Sequence, residues 1–184
     1  MKYFRLATIA VLLLSASCNN NKKQYTPQEL LQKAGKDPSM NAGKGKFNID
    51  PPAGWQRMDT VMDGVAVTFL LGPVVPTEFR LNMNVVSESM QGYSLDTYFD
   101  KMSAPMSKYM QNFSAGSIGE KDIDGIQAKW MQYSHKQSGL DIAGLVYVIP
   151  KDGIAYVISC TAPKGQLEKY QAKFDEGIRS FHIL

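Results

Sequence analysis

Ser117 lies in Ala115–Gly116–Ser117–Ile118–Gly119, the small-residue spacing of a nucleophile elbow, and Asp141 and His182 follow in the chain order of an α/β-hydrolase triad. An elbow needs a strand before its serine and a helix after it. Here the order is reversed, since helical spacing precedes Ser117 and a strand-like run follows, so the segment is expected to be a glycine-rich turn. Glu120, Asp122, Asp124 and Gly125 supply acids at positions 1, 3 and 5 and glycine at position 6 of a calcium-loop pattern. Position 12 needs a bidentate glutamate, and Met131 stands there. Of the two histidines, His135 and His182, each is expected at a half-exposed strand or tail position, and no His or Cys pair has zinc-ligand spacing. Gly43–Lys44–Gly45–Lys46 lacks the spacing and the preceding strand of a phosphate loop. The expectation is therefore no catalytic residue, no metal, no cofactor and no enzyme.

Cys18 carries clearer chemistry. It follows a basic head (Lys2, Arg5), an apolar run from Leu6 to Leu14 and the small residues Ser15, Ala16 and Ser17. Charge held at the inner face, apolar length enough to partition and room for a peptidase are the requirements of an export signal. A cysteine directly after the cut carries lipid in bacterial lipoproteins, so residues 1–17 are expected to be a lipoprotein signal peptide and Cys18 the lipidation site. Ser15 stands where a leucine is usual; the alternative is ordinary secretion with cleavage nearby and Cys18 left as a thiol. The apolar run is too short to span a hydrocarbon core, which needs about 20 residues, and no later segment approaches that length.

Removal of the signal leaves two cysteines, Cys18 and Cys160. With Cys18 acylated, Cys160 has no disulfide partner even in an oxidising compartment. Strand alternation groups it with Ile154, Tyr156 and Ile158, the surroundings of a buried, inert thiol. The chain's charge of +3 also changes, because Lys2 and Arg5 leave with the signal. From Cys18 to Lys46 there are six lysines (22, 23, 33, 36, 44 and 46) against Glu29 and Asp37, whereas residues 47–184 hold 12 basic and 15 acidic residues. A basic tether thus carries a mildly acidic domain. Each lysine near an anionic membrane adds about 1 kcal/mol of attraction, so the tether either lies along headgroups or serves as a solvated linker. Export and an acidic domain argue against a nucleic-acid partner.

The elements that must position these groups follow from periodicity and turn signals. Residues 18–45 form the tether, in which Thr26–Pro27–Gln28–Glu29 is a capping box opening a short helix that Gly35 ends. The compact domain spans residues 46–184. Phe47–Asp50 and Trp55–Asp59 flank the turn Pro51–Gly54, and Val65–Leu71 and Arg80–Ser87 continue as antiparallel strands. Ser94 caps a helix carrying Leu95, Tyr98, Phe99, Met102, Met106, Tyr109 and Phe113 at helical spacing, which Pro105 kinks or splits. Strands follow at Ser117–Ile123, Gln127–His135, Asp141–Ile149 and Ile154–Thr161, with hairpin turns at Asp124–Gly125 and Asp152–Gly153. A last helix over about 165–181 presents Leu167, Tyr170, Phe174, Ile178 and Phe181 as one apolar stripe.

Several of these segments, in this order, resemble the PsbP-like family. They are Phe47–Trp55 (FNIDPPAGW), Leu81–Val86 (LNMNVV), Ser94–Tyr98 (SLDTY), Ile123–Gly125, Asp152–Ile158 and the closing Ile178–Phe181. The resemblance covers nearly all of residues 46–184. It implies an α+β fold, an antiparallel sheet of about six strands with helices on both faces in an α/β/α sandwich, and by analogy a non-catalytic role in docking onto another macromolecule.

Met102, Met106 and Met110 repeat every four residues. Such a stripe is either core packed on the sheet or, if the Pro105 kink tilts it outward, a surface on which Met106 and Met110 grip a partner protein or an acyl chain. The leading expectation is an envelope-anchored accessory lipoprotein, its domain in the periplasm, held to the membrane through lipid on Cys18 and docking an envelope protein. The alternative is a carrier of small hydrophobic or lipid-like ligands.

Overall fold

The turns Asp124–Gly125, Ser138–Gly139 and Asp152–Gly153 hold both residues at positive φ (57° and 71°, 50° and 85°, 50° and 74°). That combination matches the right-handed twist of the strands it joins, so each makes a tight two-residue hairpin. In the computed structural model, which describes residues 45–62 and 65–184, these turns link β5 (Gln111–Ile123), β6 (Ile126–Gln137), β7 (Leu140–Lys151) and β8 (Ile154–Pro163) into a meander. The expected signal peptide, Cys18 and the tether helix lie outside the described residues.

The first part of the domain supplies β1 (Phe47–Asn48), β2 (Gln56–Met62), β3 (Val65–Val74) and β4 (Arg80–Ser89). Strand β8 pairs antiparallel with β4, giving a seven-stranded sheet in the order β2-β3-β4-β8-β7-β6-β5. Between β4 and β5 run α1 (Leu95–Ser103) and α2 (Met106–Tyr109); α3 (Leu167–Arg179) and β9 (His182–Ile183) close the chain.

Alternation of side chains gives the sheet two buried faces. On one, α3 lays Leu167, Phe174 and Ile178 over Trp55, Met83, Val85, Ile158 and Cys160, with the Trp55 and Phe174 rings edge to face at 6.0 Å. On the other, α1 and α2 lay Tyr98, Phe99, Met102 and Met106 over Phe69, Val86, Met131, Val146 and Val157. Helices therefore cover both faces, as expected of an α/β/α sandwich.

Three expectations are corrected. The sheet has seven strands instead of about six, and a second sheet joins β1 to β9. Phe47–Asn48 does not pair across the Pro51–Gly54 turn; it pairs with His182–Ile183, because that turn is stapled to the end of α3. Asp50 N donates to Ser180 Oγ (2.9 Å) and Ala53 N to Glu176 Oε1 (2.7 Å). The long helix ends early: Pro105 separates α1 from the four-residue α2, and β5 starts at Gln111, so Phe113 belongs to a strand.

Candidate functional site

The residues that mimic a hydrolase triad are not assembled. His182 Nδ1 lies 2.8 Å from Asp124 Oδ1, while the other oxygen of Asp124 accepts from Ile183 N at 2.9 Å. These bonds hold the Asp124 carboxyl below the usual range and clasp the C-terminus to the β5–β6 turn. Asp141 lies in β7 opposite Lys136, near the far end of β6, roughly 34 Å along the strand direction from the β5–β6 turn at about 3.4 Å per residue. Ser117 sits within β5, with strand on both sides of it, so it has no helix N-terminus behind it. Of the calcium-like acids, Asp122 accepts from Gly125 N (3.1 Å) and Asp124 is held in the clasp. Among the described residues no group of three His, Cys, Asp or Glu side chains is placed to hold a metal ion. Cys160 is fully buried and its thiol is pushed up, chiefly by desolvation.

Met106 and Met110 are 3% and 4% exposed. The outward tilt that would present them to a partner does not occur. The break at Pro105 instead lets α2 continue along the sheet, and both side chains join the core beneath it. Among the described residues that face buries six methionines, Met58, Met90, Met102, Met106, Met110 and Met131, whereas the α3 face buries Met83 alone.

Opposite Met102, Met106 and Met110 the sheet carries polar residues where a core strand would be apolar. Strand pairing aligns Met131, Val146, Ser159, Asn84, Phe69 and Met58 in one cross-strand row and Tyr133, Gly144, Thr161, Asn82 and Leu71 in the next, with His135 and Ile142 beyond. Asn82, Asn84, Ser159, Thr161, Tyr133 and His135 are all buried there. The Tyr133 ring lies across Gly144: a Cβ at 144 would fall 2.6 Å from Tyr133 Oη, so only glycine lets the hydroxyl reach from β6 toward β8. Tyr133 Oη, Ser159 Oγ and both ring nitrogens of His135 are buried without a hydrogen-bond partner. Burial lowers the His135 pKa, which favours neutral imidazole, and raises that of Tyr133.

His135, expected half-exposed, is 2% exposed; β6 is covered on this face because Phe113 of β5 stacks on Tyr133, and Tyr133 on His135. Sequence reasoning missed this polar floor. Its signal was the alternation Asn82, Asn84 and Ser159, Thr161 within two apolar strands, which reads equally well as a solvated face.

A second feature lies at the outer edge. β5 has a sheet neighbour on one side only, and most of its residues from Gln111 to Gly119 are exposed. This run carries no charged residue and no proline, the usual guards of an edge strand. Ile118 is 56% exposed within it. Two register shifts, between Gln111 and Ser114 and between Ala115 and Ile118, bend the strand. Beside it lies a cleft of ≈ 310 Å³, lined by Ser114, Ala115 and Gly116 of β5, by Gln132, Tyr133 and Ser134 of β6, by Ala143 of β7, and by Gly165, Leu167 and the charged Glu168 at the start of α3.

No family model and no curated protein matches the chain. Solved structures do. LpqN, involved in cell envelope biogenesis in Mycobacterium tuberculosis, is 13% identical over 88% of this chain and 99% of its own, with a TM-score of 0.57. PA94, a Pseudomonas aeruginosa protein of unknown function, is 11% identical over 68% and 95%, with a TM-score of 0.56. The cyanobacterial PsbP of Synechocystis sp. PCC 6803 is 15% identical over 78% and 96%, with a TM-score of 0.51. The chain thus has a PsbP-like fold.

Proposed function

We propose that this protein is a non-catalytic accessory lipoprotein of the cell envelope, held to the membrane by lipid on Cys18, whose domain docks a partner protein along β5. What carries this reading is the outer edge of β5, free of charge and proline from Gln111 to Gly119, where backbone donors and acceptors face outward beside a cleft able to seat one side chain. An edge of this kind binds by strand addition, with main-chain hydrogen bonds giving affinity and a side-chain pocket giving selectivity. Absence of charge from Gln111 to Gly119 fits an uncharged extended segment. The two bends suit a short segment better than a second long, flat strand. A structural neighbour that works in envelope biogenesis fits the address. One acyl chain binds a membrane only marginally, so stable anchoring rests on several chains, aided by the tether lysines.

The test uses the full chain in cells. Fatty-acid labelling of the wild type but not of Cys18→Ala checks the anchor. A photo-crosslinking residue at Ser117 should capture one envelope protein that the same probe at Gln56, on the opposite edge strand, does not, and Ile118→Lys should abolish the adduct without altering the fold. Equal capture from both positions, or capture unaffected by Ile118→Lys, rejects docking on β5; an adduct with a second copy assigns the edge to self-association instead.

A further inference from the structure

The polar floor beneath α1 and α2 shares Tyr133 with the cleft beside β5, but Ser159 and both ring nitrogens of His135 are unexplained by docking there. Leaving a buried donor or acceptor unpaired costs its full desolvation penalty, whereas replacing both partners of a pair by apolar groups of similar shape is close to neutral. Tyr133, Ser159 and His135 each carry that penalty on one face of one sheet, at neighbouring register positions. The opposite face, packed on α3, is built from Leu81, Met83, Val85, Ile158 and Cys160 along the same two central strands, β4 and β8. The same backbone therefore accommodates a fully apolar packing, and the polar one is retained on one side only. Unpaired groups kept in a core are the mark of a site that something else completes.

We propose that this face is the binding site of a small uncharged amphiphile, whose head pairs with Tyr133, Ser159 and His135 and whose apolar tail replaces the methionine packing above them. The head is uncharged because the buried polar residues of this face are Asn, Ser, Thr, Tyr and His, with no Lys, Arg, Asp or Glu among them; a charge placed there would be desolvated without a counter-charge. It both donates and accepts, because hydroxyls do both and a neutral imidazole offers one nitrogen of each kind. The tail is admitted by methionine, whose unbranched side chain repacks around irregular shapes.

The cover is unevenly anchored. α2 has four residues and no side-chain cap, and Pro105 separates it from α1. Polar ties from α1 to the sheet run from Asp96 to Lys129 (2.6 Å) and from Tyr98 to Glu88, near the opening turn of α1. Met106 and Met110 lie beyond these ties, between Pro105 and the start of β5 at Gln111; ligand entry requires this short segment to shift while α1 stays latched. The carrier role raised by the sequence thereby gains a place in the fold, with the two methionines gripping the ligand from inside.

The full chain is titrated calorimetrically with octanamide, octanoate and octyltrimethylammonium, and its thermal midpoint is followed in parallel. Octanamide should bind and raise the midpoint, and the two charged chains should do neither. Combining Tyr133→Phe with Ser159→Ala should weaken octanamide at least tenfold while leaving the ligand-free midpoint unchanged or higher. A second variant, His135→Leu, should weaken binding in the same direction. Failure of octanamide to bind, equal binding of octanoate, or binding unaffected by the substitutions overturns the proposal. So does a lower midpoint of the ligand-free double variant, since the hydroxyls would then be satisfied in the free protein.

Discussion

His135 is held below the ordinary imidazole pKa because burial disfavours its charged form. As pH falls through about 6.5 the unfolded chain takes up this proton and the native chain does not, so the unfolded state binds more protons and native stability declines. The decline continues until the native pKa is reached, with a slope of at most about 1.4 kcal/mol per pH unit for one group. Urea unfolding at pH 7, 6 and 5 should show wild-type stability falling over this window and His135→Leu falling less; parallel lines would show that His135 is not buried neutral. Asp124 acts in a different window. Its lowered pKa stabilises the fold above the ordinary carboxyl range and is lost only as pH falls through the depressed native value, so the two groups separate in one titration. At this scale residue identities are legible in the sequence and their environments only in part. Alternation groups His135 with Met131 and Tyr133 but leaves open whether their shared face meets water or a helix.

Among the elements, turns and caps were legible and the ends of α1, α2 and β5 were not. Ser94 Oγ accepts from Thr97 N, as its position before Leu95 implies. Ser94→Ala should destabilise the domain by about 1 kcal/mol, measured by denaturant unfolding, without changing the sheet's spectroscopic signature. The Asp-Gly turns stand where expected because a two-residue hairpin needs positive φ at both positions, which few other pairs supply. Apolar spacing continues past Pro105 to Phe113 and so predicts a longer helix than forms. In β5 that spacing was misleading: the first half of the strand is exposed on both faces, so it shows no in-out alternation to announce a strand. The same lack of alternation makes the strand an open edge.

Over the whole molecule, distant segments close the structure. β4 and β8 pair across more than sixty residues of chain, and β1 meets β9 near the other end. Phe181 ties these together, its ring packed 5.7 Å from Phe47 and 5.8 Å from Tyr156, with 1% of its surface exposed. Phe181→Ala should cost about 3–5 kcal/mol of unfolding free energy, read from urea midpoints at constant slope; a loss under 1 kcal/mol would mean that the joint between β1, β8 and α3 does not bear on global stability. The sequence by itself determined the α+β class, most strands, the hairpin turns, the cap at Ser94 and the burial of Cys160, because each follows from local periodicity or backbone geometry. Only the tertiary structure decided that Met106 and Met110 face inward, that His135 is buried, that β5 has a neighbour on one side only and that unpaired hydroxyls gather beneath α1 and α2. Those features depend on which strand lies beside which and which helix covers which face, and packing between distant segments sets both.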